Sequence, residues 1–134
     1  MTNKGFTLFE LLIAAVILFL ALILALEASS NLNQSNELAH QSVTALQDAH
    51  RAVEAMRNAS TQGNFPANVT TQFPAGQAIA GFTTLTNEQV VPTYADPNAD
   101  PLTVTVTVTW DSVTKTTGTR TQQTQLVTLM TRRQ

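Results

Sequence analysis

The sequence predicts an α+β fold: one long amino-terminal helix, membrane-like in its first half and amphipathic in its second, packed on a small carboxy-terminal antiparallel β-sheet. Three observations carry this. All 16 residues from Leu11 to Leu26 are Ala, Val, Ile, Leu or Phe. From Glu27 to Met56 there is neither Pro nor Gly. From Leu102 to Trp110 apolar residues alternate with Thr without a break, a period of two that no helix could use.

The first element needs its own solvent. From Phe6 to Leu26 the chain runs 21 residues with a single charge, Glu10. At about 1.5 Å rise per residue such a helix covers about 30 Å, enough to span a bilayer. Lys4 is the only charged side chain before it, which favours a cytoplasmic amino terminus with the bulk of the chain outside, in the periplasm. An ordinary cleaved secretory signal fits poorly. Only Ala28-Ser29-Ser30 offers small residues after the apolar run, and the basic region ahead of it is one Lys. A plain membrane anchor and a specialised signal whose helix is retained remain.

Glu10 decides more than any other residue. A carboxylate inside a membrane helix costs roughly 2.5–3.5 kcal/mol and is normally kept for a specific partner. No basic residue lies within helical reach after it, so the expected partner comes from another molecule or from the chain's own amino terminus. Reaching the headgroups from about one turn into the run is the alternative.

The run Lys4-Gly5-Phe6-Thr7-Leu8-Phe9-Glu10-Leu11-Leu12-Ile13 resembles the processing signal of type IV pilins and type II secretion pseudopilins. The resemblance implies cleavage after Gly5 by a prepilin peptidase and N-methylation of the new amino terminus, Phe6. It also implies that Glu10 pairs with a neighbouring subunit's amino terminus during assembly. Physically, Gly5 offers a protease an unhindered backbone, and cutting there removes Lys4 and leaves an amine that can neutralise a buried Glu10. The likeness is strong from Phe6 to Leu26, looser over the next thirty residues, and absent from the carboxy-terminal half. Many major pilins place a Pro in this helix. Here the first is Pro66, so no proline kink is expected.

After the apolar run, Leu32, Ala39, Val43, Leu46 and Val53 recur at helical spacings, with Ala45, Ala49, Ala52 and Met56 broadening the stripe. Asp48, Arg51, Glu54 and Arg57 follow three apart with alternating sign, as expected for a solvated surface. Ser60-Thr61-Gln62-Gly63-Asn64 ends the helix. A helix of about 50 residues would be about 75 Å long and is no lone element of a compact domain. With the resemblance this gives a pilin-like lollipop: leader 1–5, membrane or filament-core helix 6–26, amphipathic continuation 27–60, and a loop-rich connector with the sheet domain at 61–134.

Pro66, Pro74, Pro92 and Pro97 with Gly76 and Gly81 mark the connector, with short strands expected near Ala78–Leu85 and Gln89–Tyr94. Leu102, Val104, Val106, Val108 and Trp110 share one face of the alternating strand and four Thr the other. Asp111 to Gly118 is read as the turn, and Thr119 to Thr131 as the returning strand. The Val/Trp face is expected on the Val43–Met56 stripe. Nineteen of the 22 Thr lie after Ser60, but a disordered mucin-like stalk would not alternate them with Val and Trp.

Chemistry-bearing motifs are sparse. Asp96, Asn98 and Asp100 place oxygens at alternate residues, as in the opening of many calcium loops. The sixth position, however, is Pro101 and the twelfth Thr107, so these are weak calcium candidates and a proline-stiffened turn is preferred. His40 and His50 are ten residues apart, the wrong spacing for a helical metal pair. With no Cys, disulfides, Cys-ligated zinc, iron–sulfur clusters and thiol catalysis are excluded. No phosphate loop, nucleophile elbow or zinc-protease motif occurs, so neither an enzyme nor a cofactor is expected. Seven basic and nine acidic residues give a net charge of −2. The basic residues form no dense patch, and Arg120, Arg132 and Arg133 read as solubilising, so nucleic-acid binding is not expected.

The function expected is that of a structural subunit of a type IV pilus or type II secretion pseudopilus. It lacks a Cys-closed terminal loop and a helix proline and has a Val/Thr strand ending in Trp110, features that look more like minor pilins and minor pseudopilins. The implied partners are other pilin or pseudopilin subunits, the prepilin peptidase, an inner-membrane assembly platform and, before assembly, lipid. The implied location is the bacterial inner membrane and then the filament. The alternatives are a major pilin subunit and a non-polymerising single-pass membrane protein with a periplasmic binding domain.

Overall fold

A computed structural model describes residues 7–114 and 118–132 of the chain. The elements are α1 (Leu8–Ser60), α2 (Ala67–Gln72), β1 (Gln89–Tyr94), β2 (Leu102–Thr114) and β3 (Gly118–Met130). The fold class is α+β, with helix packed on a three-stranded antiparallel sheet of order β1-β2-β3. The chain divides into two compact units, Met1–Glu37 and Leu38–Gln134.

The first unit consists, among its described residues, of helix alone. No side chain between Thr7 and Glu37 is buried. Every large apolar side chain from Leu8 to Leu26 is 43–85% exposed, an apolar surface that water does not tolerate on a stable monomer.

The second unit has a core. Ala45, Ala49, Ala52 and Met56 of α1 are fully buried with Leu102, Val104, Val106 and Val108 of β2 and Val90 of β1. The Leu102–Trp110 face meets a helix as its alternation predicts, but the helical stripe differs from the expected one. Val43 and Leu46 are 57% and 40% exposed, and alanines are four of the eight buried residues of the helix. Small residues let the helix backbone approach the sheet, whose branched side chains then fill the space.

Asp48 also departs from expectation: at 2% exposed it lies on the buried face, not on a solvated surface. The alternating charges form two separate pairs, Arg51 with Asp48 at 2.9 Å and Arg57 with Glu54 at 2.7 Å.

Helix α1 ends where the polar cluster predicts. The Gln62 amide donates to the Ala59 carbonyl at 3.0 Å, and Gly63 (φ 92°) then reverses the chain in the left-handed region that glycine occupies without penalty. The short α2 was not foreseen. It buries Val69 and is joined to the end of α1 by the Asn68 side-chain amide donating to the Ala59 carbonyl.

No strand forms near Ala78–Leu85. The Gly76 and Ile79 amides instead donate to the Pro92 and Val90 carbonyls at 2.9 and 2.8 Å. They cover the outer edge of β1 without regular pairing, because Pro74, Gly76 and Gly81, the glycines at φ 75° and 97°, break the extended run.

Strand β1 matches its expected limits and pairs Gln89 with Thr109 through Tyr94 with Val104. The expected Asp111–Gly118 turn is shorter: β2 continues to Thr114 and pairs with β3 from Leu102↔Met130 to Thr114↔Gly118. Ser112 continues the inward alternation at 1% exposed, its hydroxyl donating to the Arg120 carbonyl at 3.2 Å. A polar residue at an inward position is what disguised this part of the strand.

Candidate functional site

Residues Gly5 and Phe6, the expected cleavage and methylation positions, lie outside the described residues, as do Lys4 and Arg133. Helix α1 starts at Leu8 directly behind them, and its first turn is organised by two side chains. The Thr7 hydroxyl accepts the Glu10 amide at 3.3 Å. Returning the favour, the Glu10 carboxylate accepts the Thr7 amide and hydroxyl, both at 3.4 Å.

This reciprocal arrangement is a capping box, Thr at the cap and Glu three residues on, which satisfies amide groups that the helix start leaves without partners. Glu10 therefore has partners within its own chain, the Thr7 amide and hydroxyl. The Thr-x-x-Glu spacing is the signal that would have found them. A carboxylate in the first turn is also favoured by the helix dipole.

Behind this cap, α1 is long and apolar enough to cross a membrane by length and composition. Its exposed Leu, Ile, Val and Phe side chains surround the whole circumference from Leu8 to Leu26. A helix that is apolar on all sides belongs in lipid or among other helices.

Asp96, Asn98 and Asp100 all sit exposed in the β1–β2 connection. The Asp96 carboxylate accepts the Asn98 amide at 2.9 Å, and the Ala99 amide donates to the Asp96 carbonyl at 3.3 Å. The Asp96 side chain thus holds an Asx turn, the use expected of such a residue beside Pro97. His40 and His50 are both exposed on α1, and among the described residues no group of three or more His, Cys, Asp or Glu side chains is placed to hold a metal ion.

Two further side chains tie the second unit together. Tyr94 donates its hydroxyl to the Phe73 carbonyl at 2.6 Å, and burial pushes its pKa up to about 12. The indole of Trp110 donates to the Gln41 side chain at 3.2 Å, fixing the open end of the β2 face to α1. No protein-family model, curated protein or solved structure matches the chain.

Proposed function

We propose that the protein is a prepilin-like structural subunit, cleaved after Gly5 and methylated on Phe6. Its Leu8–Leu26 segment rests in the bacterial inner membrane and then enters the helical core of a type IV pilus or type II secretion pseudopilus. The subunit is of the minor kind, and its partners are other pilin or pseudopilin subunits, the peptidase and an assembly platform. The amino terminus is cytoplasmic and the sheet domain periplasmic.

One observation carries this reading. The Gly5-Phe6 junction precedes, and Glu10 lies in the first turn of, an all-round apolar helix whose large apolar side chains from Leu8 to Leu26 are exposed. The exposed Val43 and Leu46 leave further apolar helix surface for neighbouring subunits in the same assembly. The work of such a protein is recognition: helices leave lipid and pack on one another, with buried charges satisfied only in the correct register.

Mass spectrometry of the membrane-extracted protein tests it. A chain beginning at methylated Phe6 is expected, Gly5→Val is expected to leave an unprocessed membrane-held form, and retention of residues 1–5 in the wild type would sink the proposal.

The capping box favours a second reading, a single-pass membrane protein that never polymerises, because it gives Glu10 a use that needs no neighbour. A wild type that yields no filaments supports this second reading, and where filaments form two substitutions separate the two uses of Glu10. Glu10→Gln keeps an oxygen acceptor for the Thr7 amide but removes the charge, so it blocks assembly only if the charge pairs between subunits. Filaments from Glu10→Gln but not from Glu10→Ala would assign Glu10 to the cap alone.

A further inference from the structure

Asp48 is the unexpected residue on the helix face that meets the sheet. It is 2% exposed, and Arg51 donates to its Oδ1 at 2.9 Å, but its Oδ2 is buried without a hydrogen-bond donor. Glu88, just ahead of β1, carries the matching defect. Its Oε2 accepts the Thr84 and Leu85 amides at 2.9 and 3.1 Å, while its Oε1 is buried without a donor. Asp48 is near enough to Glu88 for its charge and its side-chain oxygen both to favour a protonated Glu88.

Two buried carboxylate oxygens cannot face one another while both groups are ionised, because desolvation and mutual repulsion both oppose it. The local charges indicate what is missing. Arg51 neutralises Asp48, leaving one negative charge on Glu88, so a single positive charge completes the cluster. A proton on Glu88 Oε1 makes that atom a donor to Asp48 Oδ2 and satisfies both oxygens at once. Calcium would need about six to eight oxygens, where these two are the free carboxylate atoms and a guanidinium stands beside them.

We propose that the Glu88 carboxyl donates a hydrogen bond to Asp48 Oδ2, and that this carboxyl–carboxylate hydrogen bond is a pH-operated latch holding the Thr84–Glu88 turn on α1. The turn is a structural junction. The Thr86 carbonyl accepts the Asp111 amide at 2.9 Å and the Asn87 side chain donates to the Asp111 carboxylate at 2.9 Å, so the turn is also fixed to β2. The charged groups around the latch are Arg51 from α1, which also lies 5.7 Å from the Phe82 ring centre, and Asp111 from β2, which reaches the turn through Asn87.

Burial raises Glu88 above the usual carboxylate range and the Asp48 charge adds to that, against the opposing pull of the Leu85 and Thr84 amides. Because the folded value is the higher one, the latch stabilises fully below the unfolded value of about 4.3 and is lost as pH rises through the folded value.

The test uses the full chain in detergent micelles. Trp110, the single Trp and 3% exposed, reports unfolding of the second unit. The melting temperature of the wild type is expected to fall by roughly 4–8 °C between about pH 4.5 and about pH 8. In Glu88→Gln the amide donates permanently to Asp48 Oδ2 and the carbonyl still accepts from Thr84 and Leu85. This variant is expected to lose the slope and keep the acid-side melting temperature. Asp48→Asn, donating from the other side to Glu88 Oε1, is expected to flatten the slope as well. The infrared C=O stretch of a protonated carboxyl is expected to persist to higher pH in the wild type than in Glu88→Gln. The same slope in either variant, a band lost at the same pH in the wild type and Glu88→Gln, or recovery of the acid-side melting temperature on adding calcium chloride at about pH 8 would each overturn this hydrogen bond.

Discussion

Between Leu8 and Leu26 every large apolar side chain of α1 stands 43–85% exposed, whereas between Ala45 and Met56 three of the six residues hidden from solvent are alanines. The richer apolar surface is thus the one the chain itself leaves uncovered. Hydrophobic content alone does not locate a core; a complementary surface within reach does. In the second unit β2 offers Leu102, Val104, Val106, Val108 and Trp110 on one face, and small helix residues let that face come close. Among its described residues the first unit has no such face of its own, so its helix depends on lipid or on other molecules, and that dependence is what the proposed function uses.

The largest effect that can break this comparison comes from emptying the covered side. Met56→Ala removes a fully buried side chain and is expected to destabilise the second unit by about 2–5 kcal/mol, the cost of lost burial plus a cavity. Leu18→Ala, at a position 69% exposed, is expected to leave that stability unchanged and to weaken membrane retention or assembly instead. Urea unfolding followed by Trp110 fluorescence measures the first, and fractionation of membranes and sheared filaments measures the second. A loss of second-unit stability in Leu18→Ala would break the division.

A smaller effect tests the alanine contact directly. Ala49 is fully buried between the helix and the sheet, so Ala49→Leu is expected to cost about 1–3 kcal/mol through overpacking although it adds apolar surface. Val43→Ala, at a position 57% exposed, should leave the unfolding midpoint of the second unit nearly unmoved. If Ala49→Leu were as stable as the wild type in the same urea titration, the close approach of helix and sheet would not be the reason for the alanines.

How far the sequence revealed this architecture follows the same division. Strict alternation from Leu102 to Trp110 and freedom from Pro and Gly from Glu27 to Met56 are periodic signals over many residues, and they located β2 and α1 correctly. The choice of helix face was not legible, because Leu32, Val43 and Leu46 outrank alanines in hydrophobicity while the sheet selects by shape. Strand limits failed where inward positions are polar, as at Ser112, and the Ala78–Leu85 strand failed where glycines interrupt the chain. At the candidate site, Gly5, Phe6 and Glu10 were readable as a local pattern, and so was the Thr7–Glu10 cap had its spacing been used. The Asp48–Glu88 contact joins residues forty positions apart, and local charge spacing pointed Asp48 toward solvent instead.

The smallest expected effect sharpens the comparison on its acid side. Asp111 is partly exposed, and its carboxylate accepts the Asn87 side-chain amide and the Thr121 hydroxyl, both at 2.9 Å. Those hydrogen bonds hold its pKa below the ordinary carboxylate value. Its contribution is therefore present above the unfolded value of about 3.9 and is lost as pH falls through the folded value. Glu88 works in the opposite sense and in a higher window. The second unit should then weaken on the acid side as pH falls from about 3.9 through the folded Asp111 value, and on the neutral side as pH rises from about 4.3 through the folded Glu88 value. Asp111→Asn is expected to reduce only the acid limb of Trp110-monitored stability, and Glu88→Gln only the neutral limb. If Asp111→Asn changed the neutral limb, the two carboxylates would be coupled through the Thr84–Glu88 turn rather than acting on separate sides of it.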